Sequence, residues 1–445
     1  MQMNGWDVIY ASNVSQLNQV LAASSAKLLP SFSFEDKTLE LSFSGKFGPW
    51  SIQPGGSANR INLQVPITSG SLSSPAFSKP ISLDGVEPIL NLALVLVEGS
   101  HSGSQSLTFD ITTNSTSPSN KNGDLYVNNP DASGKLAQRD PTGQAAAMIR
   151  DWFCEPFVAN KEKISFVFAT VFTDPDDKPW LRPKATGVSY FESLNHDIQA
   201  VGIQTLTEAP WSASGLSTAI DPSLLAKGES MFYALSQAVF MKNLLLPSTA
   251  QALNVSTGHL KFNGPSKPSE QGKCSITNNG DIDLPSVDHD GTHYYPKLES
   301  YEVHITDNQI LTRGSGRFDI TGLHDAYVTF DNLEVVNEIV WDSEHNKLGF
   351  KKVSQTKPST DSHIPWYEKS ITWVVPLVGL IVNLVMDAVV ASIEGAVENA
   401  VEGTGSLSVS QIQLDTAVWT GLDHFDVNQA ALATAFLVRG KTKSS

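Results

Sequence analysis

The chain has 445 residues, with 30 lysines and arginines against 46 aspartates and glutamates, a formal charge of -16. That balance argues against nucleic-acid binding and broad attachment to anionic membranes, both of which need a basic footprint. At 40 % hydrophobic and 17 % charged residues, the composition is that of a folded protein with a large core, not of a disordered one.

Its length exceeds that of one ordinary domain. Two modules, 1–220 and 221–445, or one continuous elongated unit are expected. The start MQMNGWDVIY lacks the basic region, apolar stretch and cleavage site of a secretory signal, so synthesis for the cytoplasm is expected.

After the GW pair, NVSQLNQVLAASSAKLLP sets Val14, Leu17, Leu21 and Leu28 at helical spacing, with Ser12 or Asn13 as N-cap and Pro30 as the stop. The period then changes to two. Leu39, Leu41 and Phe43 alternate with polar neighbours, as do Ile61, Leu63, Val65 and Ile67, which predicts half-buried strands. Serine-, glycine- and proline-rich loops separate them. The run ILNLALVLVEG is apolar on both faces and reads as a buried strand, followed by a strand through Leu107, Phe109 and Ile111.

Residues 144–158 have helical composition, 164–172 (ISFVFATVF) read as a strand, and 198–206 continue the β pattern. Asp221 followed by Pro222 predicts a helix start, and Leu225, Phe232, Val239 and Leu246 recur every seven residues until Pro247. Alternation returns in the second half, at Tyr301, Val303 and Ile305, at Ala326, Val328 and Phe330, and at Leu348 and Phe350. Long antiparallel strands are expected there.

The most apolar stretch is WVVPLVGLIVNLVMDAVV, 373–390. A membrane-spanning helix needs ~20 mostly apolar residues, and this run is broken by Asn383 and Asp387, so a span is not expected. It reads instead as the start of a long amphipathic helix from Leu377 to about Val401, polar at Asn383, Asp387, Glu394, Glu398 and Glu402 and apolar at Val378, Ile381, Val385, Val389 and Ala396. Such a face fits either a helix-on-sheet core or the wall of a groove.

Sequence motifs for catalysis are missing: there is no nucleophile elbow, zinc-binding helix, phosphate loop or dinucleotide fingerprint. Cys154 and Cys274 are far apart, without metal-type spacing, and read as buried thiols. The densest polar cluster, NNGDIDLPSVDHDGTH, holds Asp281, Asp283, Asp288, His289, Asp290 and His293. As a calcium loop it fails, because Thr292 stands where a bidentate glutamate is required. A solvated turn is the preferred reading, and a metal enzyme ranks last. Trp6, Trp50, Trp211 and Trp373 read as lipid-interface anchors or partly buried core residues.

Several stretches, in order and spanning nearly the whole chain, resemble the clostridial P-47 and OrfX family of non-toxic proteins encoded beside botulinum neurotoxin. They are NGWDVIYASNVSQLN, KISFVFATVF, WLRPKATGVSY, IDPSLLAKGESMFYALSQAVFMKNLLLP, HYYPKLESYEVHI, FDITGLHDAYVTF and GFKK. The resemblance implies an α+β fold of the tubular lipid-binding (TULIP) superfamily, with long amphipathic helices wrapped by highly curved antiparallel sheets. It also implies a non-enzymatic protein that binds lipid or another apolar molecule, with no cofactor, no metal and no stable transmembrane insertion. Candidate lipid-facing residues are then Val14, Leu17 and Leu21 on the first helix and Trp373, Ile381, Val385 and Val389 on the last. A phosphoinositide ligand would require clustered cations, for which Lys351 and Lys352 are the adjacent pair. The alternative implied by the same resemblance is a structural partner in a toxin complex, with a closed core and no lipid, released from the cell with that complex.

Overall fold

Strand pairing begins within the first ten residues. Val8–Asn13 is hydrogen-bonded on both sides, to Gln199–Leu206 (Tyr10 opposite Ile203) and to Met231–Ser236 (Tyr10 opposite Tyr233). This places it inside a six-stranded sheet that continues through Ala435–Thr442 to Phe425–Leu432. The sheet therefore joins segments from both sides of residue 220. The computed structural model describes residues 1–174, 178–306, 309–322, 324–342, 347–356, 359–363, 380–381, 383–384, 387, 417–422, 425–432 and 434–442.

A second sheet is built around Ile89–Glu98, which pairs with Arg60–Gln64, Asp124–Asn129 and Ser104–Asp110. A third carries the long strands of the second half: Lys297–Thr306, Gln309–Asp319, Tyr327–Asp342 and Lys347–Thr356. Among the described residues every strand pair is antiparallel except Thr113–Asn114 with Asp124–Asn129. The expected antiparallel β architecture is thus present.

Helices are few and short among the described residues. The first, Val14–Ala23, begins where Asn13 accepts the Gln16 N–H at 2.9 Å, and buries Val14, Leu17 and Leu21. It ends before Leu28, which lies beyond a short 3-10 turn. Of the long helix expected from 377 to 401, only Leu380, Ile381, Asn383, Leu384 and Asp387 are described, all helical.

Two expectations are corrected. No helix starts at Asp221. Its carboxylate does accept the Ser223 N–H at 2.9 Å, but only one 3-10 turn, Pro222–Leu224, follows. Gly228 then adopts φ +88, and Met231–Ser236 enters the sheet buried on both faces, so pairing with two neighbours overrides the seven-residue spacing. The helix starts later, where Ser236 caps the Val239 N–H, and runs to Ala252 through a π-helical turn at Met241–Leu245. That turn ends just before Leu246 and Pro247, the latter lacking the N–H an α-helical ladder would use, and the helix passes the proline instead of ending there. The strand expected at 164–172 is likewise reduced to Ala169–Phe172, where Ser104–Asp110 and Ala417–Trp419 flank it.

One part of the core is strongly aromatic. Phe32, Phe43, Phe47, Phe153 and Phe157 form one nest, with centroids as close as 4.7 Å (Phe32 to Phe47). Trp50 joins it through Phe157, and Phe109 extends it to Phe168.

Candidate ligand site

The apolar face of the first helix is closed. Val14, Leu17 and Leu21 are 5 %, 1 % and 0 % exposed and belong to the main core. The helix lies on the strand Ser51–Ser57, where Asn18 both donates to the Ile52 carbonyl (3.0 Å) and accepts the Ile52 N–H (2.7 Å). Those two bonds clamp the helix to the sheet edge. Val14 alone of the three borders a cleft, a largely polar one of about 410 Å³ that also involves Asn13, His196 and Lys227.

The structure places Ile381 fully buried while its neighbour Leu380 is 43 % exposed. Beside Leu380, and not reached by Ile381, opens a cleft of about 530 Å³, lined by Ala252, Leu253, Leu284, Pro285, Leu380 and Leu384, with Asn383 and Asp387 as its polar members. Trp373, Val385 and Val389 lie outside the described residues. The residues that form the opposite wall, at 252–253 and 284–285, were not among the sequence candidates. They are brought there by the end of the Gln237–Ala252 helical run and by the loop before Val287–His289, and no local pattern marks them.

The acidic and histidine cluster is a hairpin turn. Val287–His289 pairs with Thr292–Tyr294, and Asp290 and Gly291 both take positive φ, +52 and +75, as an Asp-Gly hairpin turn requires. His293 lies 3.5 Å from Asp288 and His289 3.7 Å from Asp290. Among the described residues no group of three or more histidine, cysteine or acidic side chains is placed to hold a metal ion.

Trp6 and Trp50 are buried, so neither reaches an interface, while Trp211 is half-buried and donates its indole N–H to the Gly5 carbonyl at 2.8 Å. Both thiols are buried, and burial pushes Cys274 up to about 12 and Cys154 higher still, as inert thiols should be. Lys351 and Lys352 pair through their backbones with Glu338 and Asn337. No described helix is long and apolar enough to cross a membrane.

The family model OrfX-like, described as Protein OrfX2/OrfX3/P47, matches residues 3–434. The structure of P47 from Clostridium botulinum A2 superposes with a TM-score of 0.76 at 20 % identity, covering 99 % of this chain and 98 % of that one. P47 of Clostridium botulinum E1 superposes at 0.78 and 20 % identity, covering 99 % of both chains. No curated protein matches the sequence.

Proposed function

The chain belongs to the OrfX-like family of OrfX2, OrfX3 and P47 proteins, a family of toxin-cluster proteins, and on that footing we propose that it is a non-enzymatic binder of lipid or another apolar ligand. The observation that carries this reading is the cleft beside Leu380 and Leu384. Its size and apolar lining suit an acyl chain, since ligand sites are concave, mostly apolar cavities of ~300–1,000 Å³ with a few polar groups. Burial of an acyl chain is worth roughly 0.8 kcal/mol per methylene. Several methylenes would therefore be needed to offset the cost of association.

The described lining contributes Asp387 and Asn383 but no cation, so the proposal rests on the apolar part of the ligand and not on a phosphoinositide headgroup. Uptake of a fluorescent acyl-chain phospholipid by the full chain tests it. The wild-type protein is expected to take up the probe, and Leu380→Asp to lose most of that uptake without loss of melting temperature. Equal uptake by both would remove the cleft from the account.

A second reading, an assembly partner in a toxin complex, is favoured by the closed packing of Val14, Leu17 and Leu21. It predicts co-purification with products of neighbouring genes in lipid-free form.

A further inference from the structure

A separate cleft of about 290 Å³ opens between the loop 208–211, the start of the Gln237–Ala252 helical run and the end of the strand Leu260–Asn263. Its walls include the half-buried rings of Trp211 and Phe262 with Pro210 and Pro265 beside them. Three charged groups line it: Asp7, Glu208 and Lys242. Two carboxylates against one ammonium leave the cleft one negative charge in excess.

The two carboxylates are not equivalent. One oxygen of Asp7 is saturated by the backbone N–H groups of Thr207, Glu208 and Ala209 at 2.8, 2.8 and 2.9 Å, and the residue is buried. Glu208 is the accessible one. It receives Lys242 Nζ at 3.1 Å on one oxygen and Asn243 Nδ2 at 2.6 Å on the other, which leaves acceptor capacity on both. Lys242 and Asn243 both sit on the π-helical turn Met241–Leu245. Such turns are rare and concentrate at functional sites.

The rings are also positioned. Trp211 spends its only side-chain donor on the Gly5 carbonyl, so its indole lines the cleft with no hydrogen bond to offer a ligand. At Gly264 a Cβ would fall 2.5 Å from the Phe262 ring, so the glycine gives that ring its place.

We propose that this cleft binds a quaternary ammonium group. Aromatic faces attract a cation through the ring quadrupole, and quaternary ammonium is the form that needs no hydrogen-bond acceptor. A primary ammonium or a guanidinium brings three to five donors, whereas the lining carboxylates are Glu208, already bound by Lys242 and Asn243, and Asp7, which is buried. A proline-rich peptide would lack the indole donor. Lys242, 48 % exposed, competes with the incoming cation for Glu208.

The proposal is independent of the apolar cleft and is tested with the full chain. Choline and tetramethylammonium are titrated while the Trp211 indole N–H resonance is followed by NMR, assigned by its loss in Trp211→Phe. Both cations are expected to shift it saturably, and ammonium chloride at equal ionic strength is not. Glu208→Gln is expected to weaken binding roughly tenfold and Lys242→Met to tighten it several-fold, a difference of sign that folding damage would not produce. An unsaturable shift, a response equal to that of ammonium chloride, or two variants that bind like the wild type would overturn the assignment.

Discussion

The carboxylate of Asp7 accepts the backbone N–H of Thr207 at 2.8 Å, a link across 200 residues. The N–H groups of Glu208 and Ala209 converge on the same oxygen, and Ser236 reaches the other at 3.4 Å. Around it, Gln271 accepts the Gly5 N–H and donates to the Trp6 carbonyl, while Trp6 donates to the Ser217 carbonyl. The NGWD stretch is therefore a structural knot that ties the chain start to the 205–221 segment. Asp7→Asn leaves an amide oxygen for the three N–H groups but removes the charge that strengthens those bonds, and is predicted to cost about 1–3 kcal/mol. Urea denaturation measures this; an unchanged midpoint would show that the three N–H groups find water instead.

Leu17 and Leu380 should behave as opposites. Leu17→Ala removes fully buried atoms from the core and is predicted to destabilise by about 2–5 kcal/mol with ligand uptake unaffected at temperatures where the protein stays folded. Leu380→Asp changes a half-exposed side chain, and is predicted to leave the melting temperature within about a degree or two while losing most of the uptake. Melting curves and probe uptake on the same two preparations decide it.

Acid should unfold the protein partly through two loop aspartates. Asp140 is held below the usual carboxylate range by the Ala145 N–H and the Thr142 hydroxyl. Burial would by itself raise Asp131, but the Ser133 hydroxyl and the N–H groups of Leu136, Glu87 and Ser133 outweigh it and lower it as well. Because both are depressed in the fold, the unfolded chain binds protons first. Their stabilisation is complete above the ordinary aspartate value of about 3.9 and is lost as pH falls through the folded values. Replacing both by asparagine should reduce stability at pH 7 and flatten its decline below about pH 4. A decline as steep as the wild type's would exclude them as the source.

Cys154 and Cys274 are predicted to resist a thiol reagent at pH 8 in the native protein and to react together in denaturant. Burial keeps each thiol protonated and covered. Rapid native labelling of either would mean that its surroundings open locally.

Legibility of the fold from sequence followed locality. The strand Lys297–Thr306 alternates Tyr301, Val303 and Ile305 inward with Glu302 and His304 outward, and it was readable because one face is dry and the other wet. The Asn13 cap was readable for the same local reason. Val8–Asn13 was not, since a strand paired on both sides and buried on both faces shows no alternation. Met231–Ser236 imitated a helix because its sheet partners lie about 200 residues away on both sides. The candidate site divided in the same way. That Val14, Leu17 and Leu21 form an apolar face was visible; that the strands Ser51–Ser57 and Gln199–Leu206 lie against this helix depends on residues far along the chain. The wall at Leu253 and Leu284 carries no periodic signal at all.

Native mass spectrometry of the full chain, before and after incubation with a phospholipid mixture and followed by extraction of any bound species, tests the central claim most directly. An apolar-ligand binder is predicted to show a stoichiometric adduct of lipid mass that Leu380→Asp lacks. A clean mass for the protein alone under both conditions would contradict it, and would leave assembly with partner proteins as the function of this fold.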